Sequence, residues 1–342
     1  MRKARHIDDM PHPDTWLKPL PAGLFCEPGG FYIDPARVVE RAVITHAHSD
    51  HARPGHASAL ASPATIALMA ARMGKRAPKV TQALGWGEVI RVGDVDVWLQ
   101  PAGHVLGSAQ VCMDYRGSRA VVSGDYKRTT DATCDDFVPV ACDVFVTEAT
   151  FALPVFRHPK PDSEIRRLLA SVALYPGRTH VIGCYSLGKT QRLIALLRQA
   201  GWDAPIYLQA ALMPMCAVYE QQGVRLGDLR LASSAAEADL VGQIVLAPPM
   251  SLAESALVDP VISMASGWLG VRQRARQGGV ELPLVISDHA DWDELLTTLD
   301  DVGAPEIWVT HGREDALIHA AALRGIRGRA LRLIGYGDED AQ

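Results

Sequence analysis

Residues 46–51 read His-Ala-His-Ser-Asp-His and place four potential metal ligands within six positions. We name this segment the histidine cluster. The apolar residues 41–45 before it predict a β-strand, and alternate side chains at a strand end share a face. His46 and His48 can therefore reach one ion, while Asp50 and His51 can reach another as the chain turns. Imidazole and carboxylate groups suit zinc or a similar divalent ion; a histidine-rich surface loop is the alternative.

Three further candidate ligands, His104, Asp125 and His311, each follow a predicted strand. His104 lies in a turn rich in glycine, Asp125 follows Gly124, and His311 precedes Gly312. Each of them alone is more typical of a turn residue than of a ligand. Ligands gather at strand ends in open layered sheets, so together with the histidine cluster these residues would complete two coordination spheres.

The bulk composition is ordinary: 342 residues, 48% apolar and 21% charged, with a net charge of −5. It is typical of a soluble globular protein with one large or two coupled domains. It neither indicates nor excludes a nucleic-acid partner, because the relevant charge can be local. No run approaches the ~18 consecutive apolar residues of a membrane span, and no apolar signal-peptide core follows the basic N-terminus. We therefore expect no membrane partner and a cytoplasmic location.

The six cysteines are scattered, and no two have the spacing of a zinc knuckle or a redox pair. Scattered cysteines without an export signal indicate free thiols in a reducing compartment. We expect buried structural thiols at all six positions: Cys26, Cys112, Cys134, Cys142, Cys184 and Cys216.

The pattern of elements changes near Phe156. Before it, short apolar runs separated by glycine-containing turns predict β-strands. After it, predicted strands alternate with helices, as in parallel βαβ layers. Residues 161–163 should cap a helix that runs to about Leu174, and Asp291 with Glu294 three residues later predicts another capped helix.

Asp34, the histidine cluster, His104, Asp125 and His311 resemble, in order and context, the metal motifs of metallo-β-lactamase-fold hydrolases. The resemblance implies an α/β protein built as an αββα sandwich.

Three additional motifs resemble those of the β-CASP nucleases, the branch of this fold that processes nucleic acids. They are Glu148 in Thr-Glu-Ala-Thr, His289 in Ser-Asp-His-Ala-Asp, and His311. Segments 26–31, 266–268 and 288–292 are similar to the bacterial DNA-ligase-associated exonuclease group. The resemblance implies a β-CASP insert at residues 156–282, between a first metallo-β-lactamase part at 1–155 and a C-terminal part at 283–342.

The resemblance also implies the role of each ligand in a site for two divalent metal ions, which we expect to be zinc, with manganese as the alternative. One ion would be held by His46, His48, His104 and Asp125, and the other by Asp50, His51, Asp125 and His311. Asp34 would orient ligating histidines without binding metal; a simple turn cap before Pro35 is its alternative.

We expect the two ions to activate a shared hydroxide for in-line attack on a phosphodiester. Asp50, His289 and Glu148 are the candidate catalytic residues. His289 would protonate the leaving oxygen near neutral pH, and Glu148 would orient His289 and stabilise its protonated form. A purely structural histidine is the alternative for His289.

Residues 183–190 satisfy the spacing of a phosphate-binding P-loop. No later strand ends in a convincing magnesium-binding aspartate, so nucleotide hydrolysis is the less favoured interpretation. The β-CASP group has a similar segment at the start of a helix, which would place a substrate phosphate at the helix N-terminus. The candidate phosphate-binding residues are Ser186, Gly188, Lys189 and Gln191. Arg272, Arg274 and Arg276 could track a phosphate backbone on an extended segment; a solvated face is the alternative.

The function that we favour is metal-dependent exonucleolytic hydrolysis of DNA in repair. An RNA-processing nuclease is the first alternative, because His311 is typical of RNA-processing members. A small-molecule metallohydrolase and a binding module with a dead site are the others. An ATP-dependent DNA ligase and a helicase are partners implied only by the resemblance.

Overall fold

The computed structural model describes residues 10–254, 257–271 and 279–331. Arg272, Arg274 and Arg276 lie outside the described residues. The described chain divides into two compact units. The first comprises residues 10–130, Asp135–Leu153 and residues 290–331, and the second comprises Asp131–Cys134 and the described part of Pro154–His289. The second unit thus interrupts the first along the chain.

The first sheet of the first unit has six described strands in sequence order. Neighbouring strands are antiparallel up to β3 and parallel from there on. The strands are β1 (Leu17–Leu20), β2 (Gly23–Cys26), β3 (Phe31–Ile33), β4 (Arg41–Val43), β5 (Ser58–Ala61) and β6 (Val80–Ala83). Helix α1 (Pro63–Met73) follows β5, with Ser62 as its N-cap and Pro63 at the first helical position.

The second sheet of the first unit has the order β19-β18-β11-β10-β9-β8-β7 within the described residues. Its strands are β7 (Ile90–Val92), β8 (Val95–Pro101), β9 (Ala109–Tyr115), β10 (Ser118–Val122), β11 (Val144–Ala149), β18 (Glu306–Gly312) and β19 (Arg327–Ala330). Because β9 is antiparallel to both β8 and β10, and β11, β18 and β19 are parallel to β10, five of the described strands run in the same direction. The carboxyl ends of β8, β10, β11 and β18 therefore meet at one edge of the sheet.

The second unit contains a parallel sheet with the order β14-β13-β15-β12-β16-β17 in the part of the chain that the structure covers. Its strands are β12 (His180–Gly183), β13 (Ile206–Leu208), β14 (Leu229–Leu231), β15 (Ile244–Ala247), β16 (Val261–Ala265) and β17 (Leu282–Leu284). Its helices are α2 (Pro161–Leu174), α3 (Lys189–Gln199), α4 (Met213–Gln221) and α5 (Glu237–Leu240). The α/β class predicted from the sequence is confirmed.

Alternate side chains of a strand point to opposite faces of its sheet, so the core of the first unit is divided into two clusters. Val111 and Met113 of β9 join a buried cluster with residues of the first sheet, such as Leu24 and Phe31. Cys112, on the opposite face of β9, belongs to a second cluster. That cluster contains residues of helices α6 (Trp292–Val302) and α7 (Glu314–Ala322). Burying each large apolar side chain contributes about 1.5–3 kcal/mol, so both faces of this sheet stabilise the unit.

Helix α6 begins as its sequence predicts. The carboxylate of Asp291 accepts a hydrogen bond from the Glu294 amide, and the Glu294 side chain accepts one from the Asp291 amide. This reciprocal capping satisfies two backbone donors that a helix leaves unpaired at its start. None of the helices in the described part of the chain has both the length and the apolar character that crossing a membrane requires.

Three predicted boundaries differ from the structure. The strand predicted over residues 41–45 ends at Val43, because the Thr45 amide donates to the Asp34 carboxylate instead of to a neighbouring strand. Helix α2 has no side-chain cap: it begins at Pro161, after Lys160. The predicted insert, residues 156–282, ends inside β17, whereas the second unit continues to His289 since β17 pairs with β16.

Candidate metal centre

The histidine cluster follows β4 of the first sheet and is fixed by backbone hydrogen bonds. The Ile44 amide donates to the Leu60 carbonyl, and the Thr45 carbonyl accepts from the amide of Ala109 in β9. The Ala52 amide donates to the His48 carbonyl, which turns the chain within the cluster. The cluster therefore lies where the first sheet meets the edge at which β8, β10, β11 and β18 end.

The first group of ligand atoms consists of His46, His48, His104 and Asp125. Nε2 of His46 lies 3.2 Å from Nδ1 of His48 and 3.5 Å from Oδ2 of Asp125. Nε2 of His104 lies 3.0 Å from Nδ1 of His48 and 3.8 Å from the same Asp125 oxygen. Ligands bound tetrahedrally to zinc at 2.0–2.2 Å lie about 3.3 Å from one another. The spacing and the chemistry of this group therefore fit a divalent metal ion.

The second group of ligand atoms consists of His51, Asp125 and His311. Nε2 of His51 lies 3.3 Å from Oδ2 of Asp125, and the rings of His51 and His311 are 5.1 Å apart. Asp50 lies beside this group, with Oδ2 at 3.5 Å from Nε2 of His51. Asp125 is common to both groups, which brings all seven predicted ligands to one place in the first unit.

Asp34 binds two residues of this region through its carboxylate. Oδ1 accepts the Thr45 amide at 2.8 Å, and Oδ2 accepts the Thr45 hydroxyl at 2.5 Å. Nδ1 of His51 lies 2.8 Å from Oδ2. Asp34 is buried and has a positive φ of 42°, a backbone conformation that is costly for a residue other than glycine and is concentrated at functional sites. The carboxylate thus contacts a histidine, as the orienting role requires, and not only the turn before Pro35.

Counting protons fixes the tautomers of two histidines. A carboxylate only accepts hydrogen bonds, so the single hydroxyl proton of Thr45 is directed to Asp34. Nδ1 of His46, which lies 3.0 Å from that hydroxyl oxygen, must then carry a proton and donate it. Nδ1 of His51 likewise donates to Asp34. In its neutral form, each of the two histidines then presents an Nε2 lone pair to the ligand groups, and this is the form that binds metal.

Thr45 is the functional residue that motif matching missed. Its hydroxyl connects Asp34 to His46, so one carboxylate orients a histidine in each ligand group. Gly124 makes room for it: a Cβ added at Gly124 would lie 2.7 Å from Cβ of Thr45. The sequence signal for Thr45 was a hydroxyl residue at the end of the predicted strand 41–45, directly before the first candidate ligand.

His311 occupies an irregularity between two strands. Glu148 of β11 pairs with Thr310, but Ala149 pairs with Gly312, so His311 is an extra residue in β18. Its φ is +58°. A bulge of this kind re-aims a side chain, and here it accompanies the placement of the His311 ring beside His51.

The electrostatics of the metal-free cluster differ between the two groups. Burial and the neighbouring His51 lower the pKa of His46 well below its ordinary value, and other histidines add to this effect. Burial also acts to lower the pKa of His51, but the carboxylates of Asp125 and Asp50 outweigh it and raise that pKa well above its ordinary value. Without metal, a proton is thus held near the carboxylates, where a cation would be stabilised.

Glu148 and His289 lie in different units. Glu148 is fully buried on β11, and its Oε1 accepts the Tyr126 amide at 2.6 Å. His289 is the last residue of the second unit, and its amide donates to Oγ of Ser287. Ala290, the next residue, belongs to the first unit and donates its amide to the Tyr126 carbonyl at 2.7 Å. The functional pairing of Glu148 with His289 stays a prediction.

The predicted phosphate-binding segment is largely committed to internal contacts. Lys189 is fully buried, and its Nζ donates to the Ile286 carbonyl and pairs with Asp288. The Gln191 side chain accepts the Gly188 amide and donates to the Ser186 carbonyl. Binding of a substrate phosphate by Lys189 would require its ammonium group to leave these partners. The burial therefore does not support the predicted role of Lys189.

Comparison with known proteins finds several nucleases that are similar to this chain. A ribonuclease of Thermus thermophilus is 27% identical over 390 residues, which cover 90% of this chain and 89% of that protein. The cleavage and polyadenylation specificity factor subunit 3-I of Arabidopsis thaliana is 27% identical over 43% of this chain. The chain resembles the β-CASP nucleases of the metallo-β-lactamase fold. The resemblance predicted from the sequence motifs is thus confirmed.

A probable DNA ligase of Opitutus terrae is also similar, with 27% identity over 328 residues. The match covers 92% of this chain and 31% of the ligase; the chain likewise spans 22% of the Arabidopsis protein. No family model matches the chain. A protein of unknown function from Enterococcus faecalis V583 has a similar fold, with a TM-score of 0.57 and 13% identity over 86% of this chain and 80% of that chain.

Proposed function

We propose that this protein is a metal-dependent exonuclease that hydrolyses DNA phosphodiester bonds in repair. The observation that carries the proposal is the pair of ligand groups that share Asp125. A shared carboxylate is typical of sites with two metal ions about 3.5–4 Å apart, which are common among nucleases and phosphatases. The nuclease names of the relatives support the same reaction class.

The proposed architecture is an αββα sandwich with an inserted β-CASP domain. Residues of the first two sheets share one buried cluster, and α6 and α7 pack on the other face of the second sheet. The second unit, with its parallel sheet, lies between two parts of the first along the chain. Both features are those expected of this fold.

His46, His48, His104 and Asp125 would hold one ion, and Asp50, His51, Asp125 and His311 the other. Nitrogen and oxygen ligands suit zinc, and the carboxylates are also compatible with manganese. When bound, the ions would neutralise charge on the phosphate oxygens and make a water more acidic.

The chain's own residues would manage the protons. A water oxygen attacks phosphorus and the bond from phosphorus to the leaving oxygen breaks. Asp50 accepts the proton that the attacking water gives up. His289, protonated at the start, donates its proton to the leaving oxygen, and Glu148 stabilises the protonated imidazole.

DNA is favoured over RNA as substrate because a chain similar to this one forms part of a probable DNA ligase. An enzyme that trims DNA ends and one that seals them act on the same substrate in succession. On the same ground we propose an ATP-dependent DNA ligase as a partner; a helicase rests on the resemblance alone. RNA processing is the second candidate, because the relatives named above include a ribonuclease that matches 89% of its own length.

End-labelled DNA and RNA of the same sequence should be digested in parallel, with zinc or manganese, by the wild type and by Asp50→Ala. We expect stepwise shortening of DNA that is faster than that of RNA, and a loss of about 10²-fold or more in Asp50→Ala. Faster shortening of RNA would select the second candidate. Internal cuts would contradict the exonuclease mode, and cleavage of neither polymer would reject the proposed function.

A further inference from the structure

The segment with P-loop spacing forms a buried ionic network in the second unit. Lys189, the first residue of α3, is 0% exposed. Its Nζ lies 2.9 Å from the Ile286 carbonyl oxygen and 3.0 Å from Oδ2 of Asp288. A lysine is almost never fully buried unless it is paired. These two contacts therefore account for the burial of Lys189 better than a solvent-facing ligand site does.

Arg192, one turn later on α3, contacts the same short segment. Its Nε lies 3.0 Å from Oδ1 of Asp288 and 2.6 Å from Oδ2 of Asp131, and its guanidinium donates to the Ser287 carbonyl at 3.1 Å. Asp131 is itself held, since its Oδ1 accepts both the amide and the hydroxyl of Thr133. Two cations and two carboxylates, whose side chains are each at most 7% exposed, therefore balance each other's charge.

This ionic network contacts the segment that directly precedes His289. Lys189 and Arg192 together contact the backbone or side chain of three consecutive residues, 286, 287 and 288. The Ser287 hydroxyl then accepts the His289 amide at 3.0 Å and donates to the His289 carbonyl at 3.2 Å. The backbone that carries His289 is thus anchored by α3 over the residues immediately before it.

Charges in this setting serve geometry more than stability. Taking ions out of water costs free energy that their attraction only partly offsets, and buried ion pairs are often no more stable than apolar replacements. Hydrogen bonds to charged groups are, however, short and directional. A general acid must lie within hydrogen-bond reach of the leaving oxygen. A displacement of the acid by about 1 Å can lower the reaction rate about 10²-fold.

We propose that Lys189 and Arg192 are positioning residues that fix the segment 286–288 and thereby the backbone of His289. The inference rests on the proposed function, because it assigns His289 to protonation of the leaving oxygen. It also gives the P-loop-like segment a role that needs no nucleotide.

The test compares two substrates of the metal-loaded protein. One is a DNA oligonucleotide, whose leaving oxygen needs a proton; the other is thymidine 5′-(4-nitrophenyl phosphate), whose leaving group is stable without one. In Lys189→Met we expect kcat/KM on DNA to fall about 10-fold or more and on the nitrophenyl ester by less than about 3-fold. His289→Ala should show the same selectivity with a larger loss on DNA.

Arg198→Met is the matched control. Arg198 lies at the other end of α3 and bonds the carbonyls of Trp202, Ala204, Leu226 and Asp228. Its loss should lower stability without changing the ratio of the two rates. Equal losses on both substrates in Lys189→Met, or no loss at all, would overturn the inference. Equal losses in His289→Ala would also overturn it, while leaving nuclease function intact.

Hydrogen exchange provides a readout independent of activity. If Lys189 holds the segment, amide exchange over residues 286–290 should accelerate in Lys189→Met and not in Arg198→Met. Unchanged exchange in that segment would overturn the inference. If the wild type with metal cleaves neither substrate, the proposed function fails, and this exchange comparison still decides whether the segment is held.

Discussion

At the scale of single residues, the Thr45 hydroxyl is the most informative group of the candidate metal centre. It donates a hydrogen bond to Asp34 and accepts one from His46. The Asp34 carboxylate therefore orients His46 through this hydroxyl. Groups that orient metal ligands affect affinity nearly as much as some ligands do. The hydroxyl of Thr45 is therefore expected to matter for its two hydrogen bonds and not only for its size.

Thr45→Val keeps the shape of the side chain and removes the hydroxyl, whereas Thr45→Ser keeps the hydroxyl. In Thr45→Val, the Nδ1 proton of His46 loses its acceptor, and we expect zinc affinity to fall about 10–100-fold. Thr45→Ser should stay within about 3-fold of the wild type. Competition with a chromogenic chelator measures both. Equal affinity in all three proteins would contradict the orienting role of the hydroxyl.

His180, which belongs to the second unit, predicts that the free energy of unfolding depends on pH. It is buried on β12, and its Nε2 lies 2.9 Å from the Ser171 hydroxyl. Burial lowers its pKa below the ordinary 6.5, so between the two pKa values the unfolded chain binds more protons than the native state. Stability from this group is therefore present above about pH 6.5 and is lost as the pH falls through the lowered native pKa.

Urea unfolding of the wild type and His180→Gln at pH 7.5 and pH 5 measures this effect. The midpoint should drop between the two pH values in the wild type and drop less in His180→Gln, because glutamine does not titrate. An equal drop in both proteins would show that His180 contributes nothing to the acid sensitivity.

At the scale of elements, the end of β18 decides where His311 lies. The irregularity makes His311 an extra residue between Thr310 and Gly312 of β18, and Gly312 has a φ of +90°. A Cβ at Gly312 would collide with the carbonyl of Ala149. The irregular strand end thus depends on glycine for two reasons, its conformational freedom and its lack of a side chain.

Gly312→Ala should lower the free energy of unfolding by about 2 kcal/mol or more and also weaken metal binding, because relief of the collision moves His311. Gly85→Ala is the matched control, since an added Cβ there meets only an ordinary contact at 3.6 Å and the backbone φ is not positive. Chemical unfolding and chelator competition give the two quantities. Wild-type metal affinity in Gly312→Ala would separate the bulge from the metal centre.

Elements with strong local signals were predictable. Helix α6 has a capping box, and α3 begins at Lys189, within the segment for which a helix start was predicted. The ends of β4 and β18 were not predictable, because each depends on a tertiary contact: the Asp34 carboxylate takes the Thr45 amide from β4, and the bulge in β18 depends on its pairing with β11.

At the scale of the whole molecule, the grouping of the candidate ligands could be predicted, because four of them lie within six positions and the others lie at or just after the ends of strands that share one edge. The role of Lys189 could not, since its spacing fits a P-loop and only the tertiary structure reveals Asp288 beside its ammonium group. The predicted insert ends inside β17, and the pairing of β17 with β16 in the parallel sheet is a tertiary contact that local sequence does not encode.

The burial of most cysteines predicts how fast the native protein reacts with a thiol reagent. All six are free thiols, but only four are buried: Cys134 and Cys142 are partly exposed, so the expectation of a buried thiol was wrong at these two positions. Burial raises the pKa of Cys26, Cys142 and Cys184 to about 12 and that of Cys216 to about 11, so at pH 8 about one such thiol in a thousand or fewer is ionised. The native protein should therefore react slowly with a thiol reagent at these positions, and six thiols should react at once in urea. Rapid reaction of most thiols in the native state would contradict the burial.

The most direct test of the central claim is a metal titration of activity. Protein freed of metal by a chelator should be titrated with zinc or manganese, and the release of end-labelled nucleotides from DNA should be followed for the wild type and Asp125→Asn. We expect no activity without metal, a rise to a plateau at about two equivalents, and little activity in Asp125→Asn at any metal concentration. Full activity in the metal-free wild type, or wild-type activity in Asp125→Asn, would contradict the central claim.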